Sequence, residues 1–199
     1  MGGPNLTSFE HILLGLICTE PSSGYDLKRR FAATPMGVYQ PSSGTLYPAL
    51  RRLERQGLIR PQASQATQAR QSARQRRVYE PTETGRTVHT GWLRTPVEPA
   101  SVAADLGLHL MRFVMMEHVL APDEVLAYLQ SLADALAAFV AQLESYAAVA
   151  DLPGRHPHLA LHHGVAVHRA SLRWAEDAIR SLSAGRDRIR RAELRHKPA

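Results

Sequence analysis

The stretch PSSGTLYPALRRLERQG, Pro41 to Gly57, decides how this chain is built. Turned at ~100° per residue, a helix here gathers Leu46, Ala49, Leu50 and Leu53 on one side. Gly44, Pro48, Arg51, Arg52 and Arg55 fall on the other, with Thr45 and Tyr47 flanking. Ser42 or Ser43 can cap its start and Gly57 is placed to close it. Pro48 lacks an N–H and crowds the preceding turn, which predicts a tight leading turn with regular helix settling in around Pro48. An apolar stripe thus opposes a basic face that begins in a short, polar tip.

Working outward, Phe9, Ile12, Leu13, Leu16 and Ile17 recur at helical spacing, and Thr7 or Ser8 can cap that helix before Glu20-Pro21 ends it. Ser22 or Ser23 opens a second helix whose apolar side carries Leu27 and Phe31. Downstream, Leu58–Arg60 and Arg77–Glu80 read as two short strands, and Pro81-Thr82-Glu83-Thr84-Gly85 opens a helix towards Trp92 and Leu93. Between the strands, residues 61–76 are rich in Gln, Ala, Ser and Arg and contain no acid. Three helices, a two-stranded ribbon and a further helix outline a winged helix.

In a helix-turn-helix the second helix presents its N-terminal residues to base edges in the major groove. Ser42, Ser43, Gly44 and Thr45 make a suitable tip, where free N–H groups also suit a phosphate. Tyr47 offers a hydroxyl to phosphate and a ring to a thymine methyl, while Arg51 and Arg52 can reach phosphates or guanine O6/N7. Arg70, Arg74, Arg76 and Arg77 belong to the tip and return strand of the hairpin, where they would add affinity more than sequence choice. The competing readings are a solvated arginine face and a low-complexity insert.

Thr95-Pro96-Val97-Glu98-Pro99 is a stiff linker, which divides the chain into residues 1–95 and 96–199. Beyond it the pattern predicts helices near Ser101–Val119, from Pro122 to Ala150, and from about Leu159 to Arg191. Val125, Leu129, Leu132, Leu136, Phe139, Leu143, Tyr146 and Ala150 alternate spacings of four and three, a heptad seam. Leu161, Val165, His168, Leu172, Ala175, Ile179 and Leu182 repeat it. Such seams fit an antiparallel bundle within the chain or a homodimer, and Leu129, Leu132, Leu136, Phe139, Leu172 and Ile179 are the expected dimerisation contacts. A charge on His168 would weaken that seam.

Charge follows the same division. Residues 1–99 hold 13 Lys and Arg against 7 Asp and Glu, whereas 100–199 hold 11 against 11, so the net +6 sits in the first half. A polyanion-binding module joined to a neutral partner produces this asymmetry. One cysteine, Cys18, excludes an internal disulfide and fits a reducing cytoplasm. The apolar run Ile12–Cys18 is too short to span a bilayer, so no membrane role is expected. No GxSxG, Walker loop, GxGxxG or HExxH is present, which argues against an enzyme or a cofactor. His158 and His162 stand at i, i+4 without a third ligand, so no metal is expected. Trp92, Met111, Phe113 and Met115 supply soft and aromatic surface for a possible effector pocket, against the plainer reading of helical core.

The runs Ile12-Leu13-Leu14-Gly15-Leu16, Ser23-Gly24-Tyr25-Asp26-Leu27 and Pro41 through Glu54 resemble the PadR family of transcriptional regulators. Arg76-Arg77-Val78-Tyr79 and Thr82-Glu83-Thr84-Gly85-Arg86 extend the resemblance through the wing. It implies a winged-helix dimer, usually a repressor, that binds double-stranded DNA at a palindromic operator and can release it on binding a small molecule. The positions matching the family's recognition helix are Ser43, Gly44, Thr45, Tyr47, Arg51 and Arg52. The wing departs from the family's usual short hairpin in length and in its Arg and Gln content. The expected fold is therefore mainly α with a small two-stranded wing, an N-terminal winged helix-turn-helix and a C-terminal long-helix dimerisation domain. The rival reading is an effector- or metal-sensing helical protein whose winged helix serves protein contact.

Overall fold

A computed structural model describes residues 5–33, 41–62, 77–150 and 152–195, with side chains followed to residue 184. The chain forms two units, Met1–Leu93 and Arg94–Ala199.

In the first unit, α1 (Ser8–Thr19), β1 (Ser22–Ser23), α2 (Gly24–Ala33), α3 (Ser43–Arg55), β2 (Ile59–Pro61), β3 (Val78–Pro81) and α4 (Glu83–Arg94) follow in order. Thr7 caps α1 through a reciprocal box: its hydroxyl accepts the Glu10 N–H, and Glu10 Oε2 accepts the Thr7 N–H at 2.9 Å. Ile12, Leu13 and Ile17 of α1, Leu27 of α2 and Leu46, Leu50 and Leu53 of α3 are all sealed from solvent. Leu14 and Glu10 are buried as well, so the covered arc of α1 is wider than its apolar periodicity indicated.

α3 is continuous from Ser43, and the leading turn expected before Pro48 is absent. Pro48 sits close to the helix start, so the bond it forgoes is to the exposed Gly44 carbonyl, which water can reach. The helix ends in a Schellman arrangement: Leu58 N–H reaches the Leu53 carbonyl, Gly57 N–H reaches Glu54, and Gly57 takes φ 69°.

The sheet has three strands rather than two, in the order β1-β3-β2, all antiparallel. Ser22 pairs with Tyr79 and Ser23 with Val78, while Ile59 pairs with Pro81. The two-serine strand lacks the β-branched signature that marks a strand, and the same Ser23 caps α2 by accepting the Asp26 N–H. Thr82 locks the α3–β2 turn to α4, donating its hydroxyl to the Gly57 carbonyl at 2.6 Å while accepting the Gly85 N–H. Gly85 is required there, since a Cβ would lie 2.0 Å from the Leu58 carbonyl oxygen.

The second unit is helical: α5 (Pro99–Ala104), α6 (Leu106–Met116), α7 (Pro122–Val149) and α8 (Arg155–Arg195). The single helix expected over Ser101–Val119 is broken at Asp105 (φ −155°, ψ 77°), whose side chain caps α6 by accepting the Leu108 N–H at 2.9 Å. α8 starts at Arg155, earlier than the periodicity indicated, because Pro157 falls in its first turn, where no N–H is needed. α7 and α8 pack as an antiparallel hairpin, with Phe139 edge-on to His168 at 4.8 Å and Arg169 Nε donating to Glu144 at 2.7 Å.

Candidate nucleic-acid interface

The tip of α3 is held open by its own side chains. Ser42 Oγ accepts the Thr45 N–H at 3.2 Å and lies 3.0 Å from Thr45 Oγ1, while Lys28 Nζ of α2 donates to Ser43 Oγ at 3.4 Å. Ser42, Ser43, Gly44 and Thr45 are exposed, and Tyr47 is 45% exposed. The Tyr47 ring rests on Gly24, where a Cβ would come within 2.7 Å of Cε1. Helix-tip donors, three hydroxyls, a phenol and an ammonium therefore share one surface, the inventory that phosphate and base-edge contact draws on.

The arginines behind the tip divide into two groups. Arg51 and Arg55 are exposed and make no ion pair among the described residues. Arg52, half exposed, is tied to Glu10, a carboxylate only 1% exposed, so this guanidinium also joins α3 to α1. Arg77 is tied to Glu54 of α3, and its guanidinium lies over the Tyr79 ring at 5.4 Å. Burial raises the Tyr79 phenol above its ordinary value, opposed by the nearby Arg77 charge. Arg70, Arg74 and Arg76 lie outside the described residues.

Sequence reasoning missed Lys28 on α2, whose ammonium reaches Ser43 at the α3 tip, since no periodicity links it to α3. It also missed the two carboxylates that hold arginines. Thr7-x-x-Glu10 carried the signal of a capping box, but the ion pairs join residues 42 and 23 positions apart.

The residues expected to line an effector pocket are placed in packing contacts. Trp92 stacks flat on His11 (centroids 4.7 Å, 5°) with His89 tilted against it. Burial, followed by the charge of His11, lowers His89 to a pKa of about 4. Met111 and Met115 are buried, and Phe113 meets Trp174 edge-on at 5.5 Å. Two open grooves mark the second unit. One is lined by Ala133, Ala137, Leu172 and Ile179, the other by Val97, Pro99, Ser131 and Ala138; neither includes Met111, Phe113 or Met115. A buried polar knot ties this unit: His109 contacts Ser101 at 2.9 Å and Tyr128 at 3.3 Å, while Arg112 lies over the Tyr128 ring. Burial and then Arg112 lower the His109 pKa.

The expected dimerisation contacts also need correction. Leu129, Leu132 and Leu136 are completely buried within one chain, so they belong to its own core and present no surface to a second copy. Phe139 is half-buried against His168, whose ring donates to the Gly164 carbonyl at 2.8 Å. Leu172 and Ile179 remain half-exposed in the first groove. His158 and His162 are exposed, and among the described residues no group of His, Cys, Asp or Glu is placed to hold a metal. Cys18 is pushed up to about 11 by burial, against the lowering effect of Arg86, which suits an inert thiol.

Residues 13–90 match the Transcriptional regulator PadR-like family, and residues 110–183 match the family described as Virulence activator alpha C-term. Similar solved structures include a PadR-like transcriptional regulator of Bacillus cereus (23% identity, TM-score 0.36) and Bacillus subtilis PadR in complex with operator DNA (17%, 0.40). Each similarity covers 89% of this chain and 99% of the other. The Vibrio cholerae virulence activator AphA is similar at 21% identity, over 88% of this chain and 98% of its own, with a TM-score of 0.37. No curated protein matches the chain.

Proposed function

We propose that this chain, PadR-like over residues 13–90 and a transcriptional regulator by that likeness, represses transcription by occupying a palindromic operator as a homodimer. The observation that carries the reading is the partition of α3. Leu46, Leu50 and Leu53 are sealed inside, while Arg51 and Arg55 stand exposed on the opposite side and the Ser42–Thr45 tip and half of Tyr47 are exposed beside them. Thr45, Tyr47 and Arg51 would meet base edges, with Ser42, Ser43, Gly44 and Lys28 on phosphates. In this reading Arg70, Arg74 and Arg76 of the wing add sequence-independent affinity.

Support for the dimer comes from α7. This helix is long and apolar enough to cross a membrane by length and composition, yet only 39% of its apolar window is buried inside the chain. Together with half-exposed Leu172 and Ile179, that surface suits a second copy, and a two-fold dimer would set two α3 helices about one DNA turn apart, ~34 Å. A cytoplasmic location and relief by a small molecule complete the proposal. Selection of binding sites from random duplexes, followed by gel shifts across a salt series, tests it: the selected duplex should bind far more tightly than random DNA. Equal affinity for both would remove the regulator reading.

A further inference from the structure

In the first unit four arginines are held in ion pairs with carboxylates among the described residues. Arg30 is tied to Glu20, Arg52 to Glu10, Arg60 to Glu80 and Arg77 to Glu54. Three of these join groups away from the exposed arginine face of α3 or bury a carboxylate for the fold. Glu54 differs. It lies one helical turn from Arg51 and beside Arg55, the two arginines of α3 that make no ion pair among the described residues. Its partner Arg77 is the residue at which the chain returns from the acid-free segment, and Gln62 N–H to the Val78 carbonyl at 3.0 Å closes the base of that hairpin.

The carboxylate of Glu54 therefore occupies Arg77 within reach of Arg51, two cations that a polyanion would otherwise engage. Its side chain is 26% exposed and that of Arg77 is 55% exposed, so the pair lies at the surface, where such contacts are weak and exchangeable. Tyr79 senses the same cluster: Arg77, Glu54 and Arg51 all act on its phenol. A DNA phosphate arriving here would compete for the Arg77 guanidinium nitrogen that now donates to Glu54.

We propose that Glu54 is a built-in competitor for DNA phosphate at Arg77, a positioning residue that holds down the affinity of this surface for DNA of any sequence. The inference rests on the DNA-binding reading. With Glu54 in place, engaging a phosphate requires Arg77 to exchange one anion for another and leaves a negative charge facing the backbone. Without it, Arg77 adds one phosphate contact, and each such contact steepens the dependence of log affinity on log salt by about 0.9. A regulator gains from such a brake, because sequence-independent binding to the excess of random DNA competes with its operator.

The test is Glu54→Gln in the full-length protein, measured on random-sequence duplexes across a salt series beside wild type. The expected result is affinity several-fold tighter at low salt, a slope steeper by about one contact, and wild-type behaviour restored by Glu54→Asp. In an Arg77→Gln background most of the gain should vanish. Unchanged slope, weaker binding, or an equal gain in the Arg77→Gln background would overturn the proposal while wild type still binds DNA with a salt dependence. If wild type shows no salt-dependent binding to any duplex, the DNA reading itself falls, and this inference with it.

Discussion

The two units solve the problem of burying apolar surface in opposite ways. The first wraps short helices and a three-stranded sheet around fully enclosed residues such as Ile12, Leu46, Leu53 and Ile59, and the face it leaves open is charged and hydroxylic. The second lays two long helices side by side and leaves apolar surface in view: Tyr146 is 53% exposed and Val149 82%. A unit that has closed its core is free to spend its surface on a polar partner. The second unit encloses Leu129, Leu132 and Leu136 yet leaves apolar side chains at the end of α7 in solvent.

Perturbing one unit at a time can break that contrast. The largest effect is expected from Gly85→Ala, because the added Cβ meets the Leu58 backbone rather than a movable side chain. A loss of about 4 kcal/mol is expected, confined to the first unit. Calorimetry should then show an early transition for that unit and an unchanged one for the helical unit; a single shifted transition would show that the two units melt together.

Acid should act on the same unit. The folded chain holds His89 neutral down to about pH 4, whereas an unfolded chain takes up that proton near 6.5. The unfolded state therefore binds the extra proton through this window, and stability falls as pH drops from 6.5 towards 4, by about 3 kcal/mol at most. Urea titrations should show that slope in wild type and a flatter one in His89→Phe. Equal slopes would place the acid sensitivity elsewhere.

Arg51→Gln sharpens the contrast from the surface side. It should cost about 1–3 kcal/mol on the selected duplex if Arg51 reads a guanine, with thermal stability within error of wild type. An equal loss on random DNA would reassign Arg51 to phosphate. The smallest effect belongs to the second unit: Leu172→Asp or Ile179→Asp should weaken self-association by about 1 kcal/mol apiece, read by sedimentation equilibrium. Self-association unmoved by both would exclude the groove that Leu172 and Ile179 line as an interface.

What could be read from the sequence alone was what repeats locally. The stripe Leu46–Leu50–Leu53 and the closing Gly57 stand as their spacing indicated, because both depend on neighbours within a turn or two. Ser22–Ser23 escaped notice as a strand because its partner, Tyr79, lies far along the chain and supplies the pairing. The break at Asp105 was hidden inside an otherwise helical run, since its cause is one side chain turning to cap the next helix. The candidate site followed the same rule. Exposed Arg51 was legible from helical phase, but Arg52 and Arg77 share its residue type and differ only in carboxylates brought to them by the fold.

Tyr47 lies with its ring against bare backbone at Gly24, although nearly half of its surface meets solvent. Most side chains that wait in water lose about 0.5–1.5 kcal/mol of rotational freedom when a partner immobilises them. This phenol has given up much of that freedom on folding, so a molecule docking here finds its hydroxyl already parked, and widening Gly24 to alanine would return the ring to many orientations at the expense of that readiness.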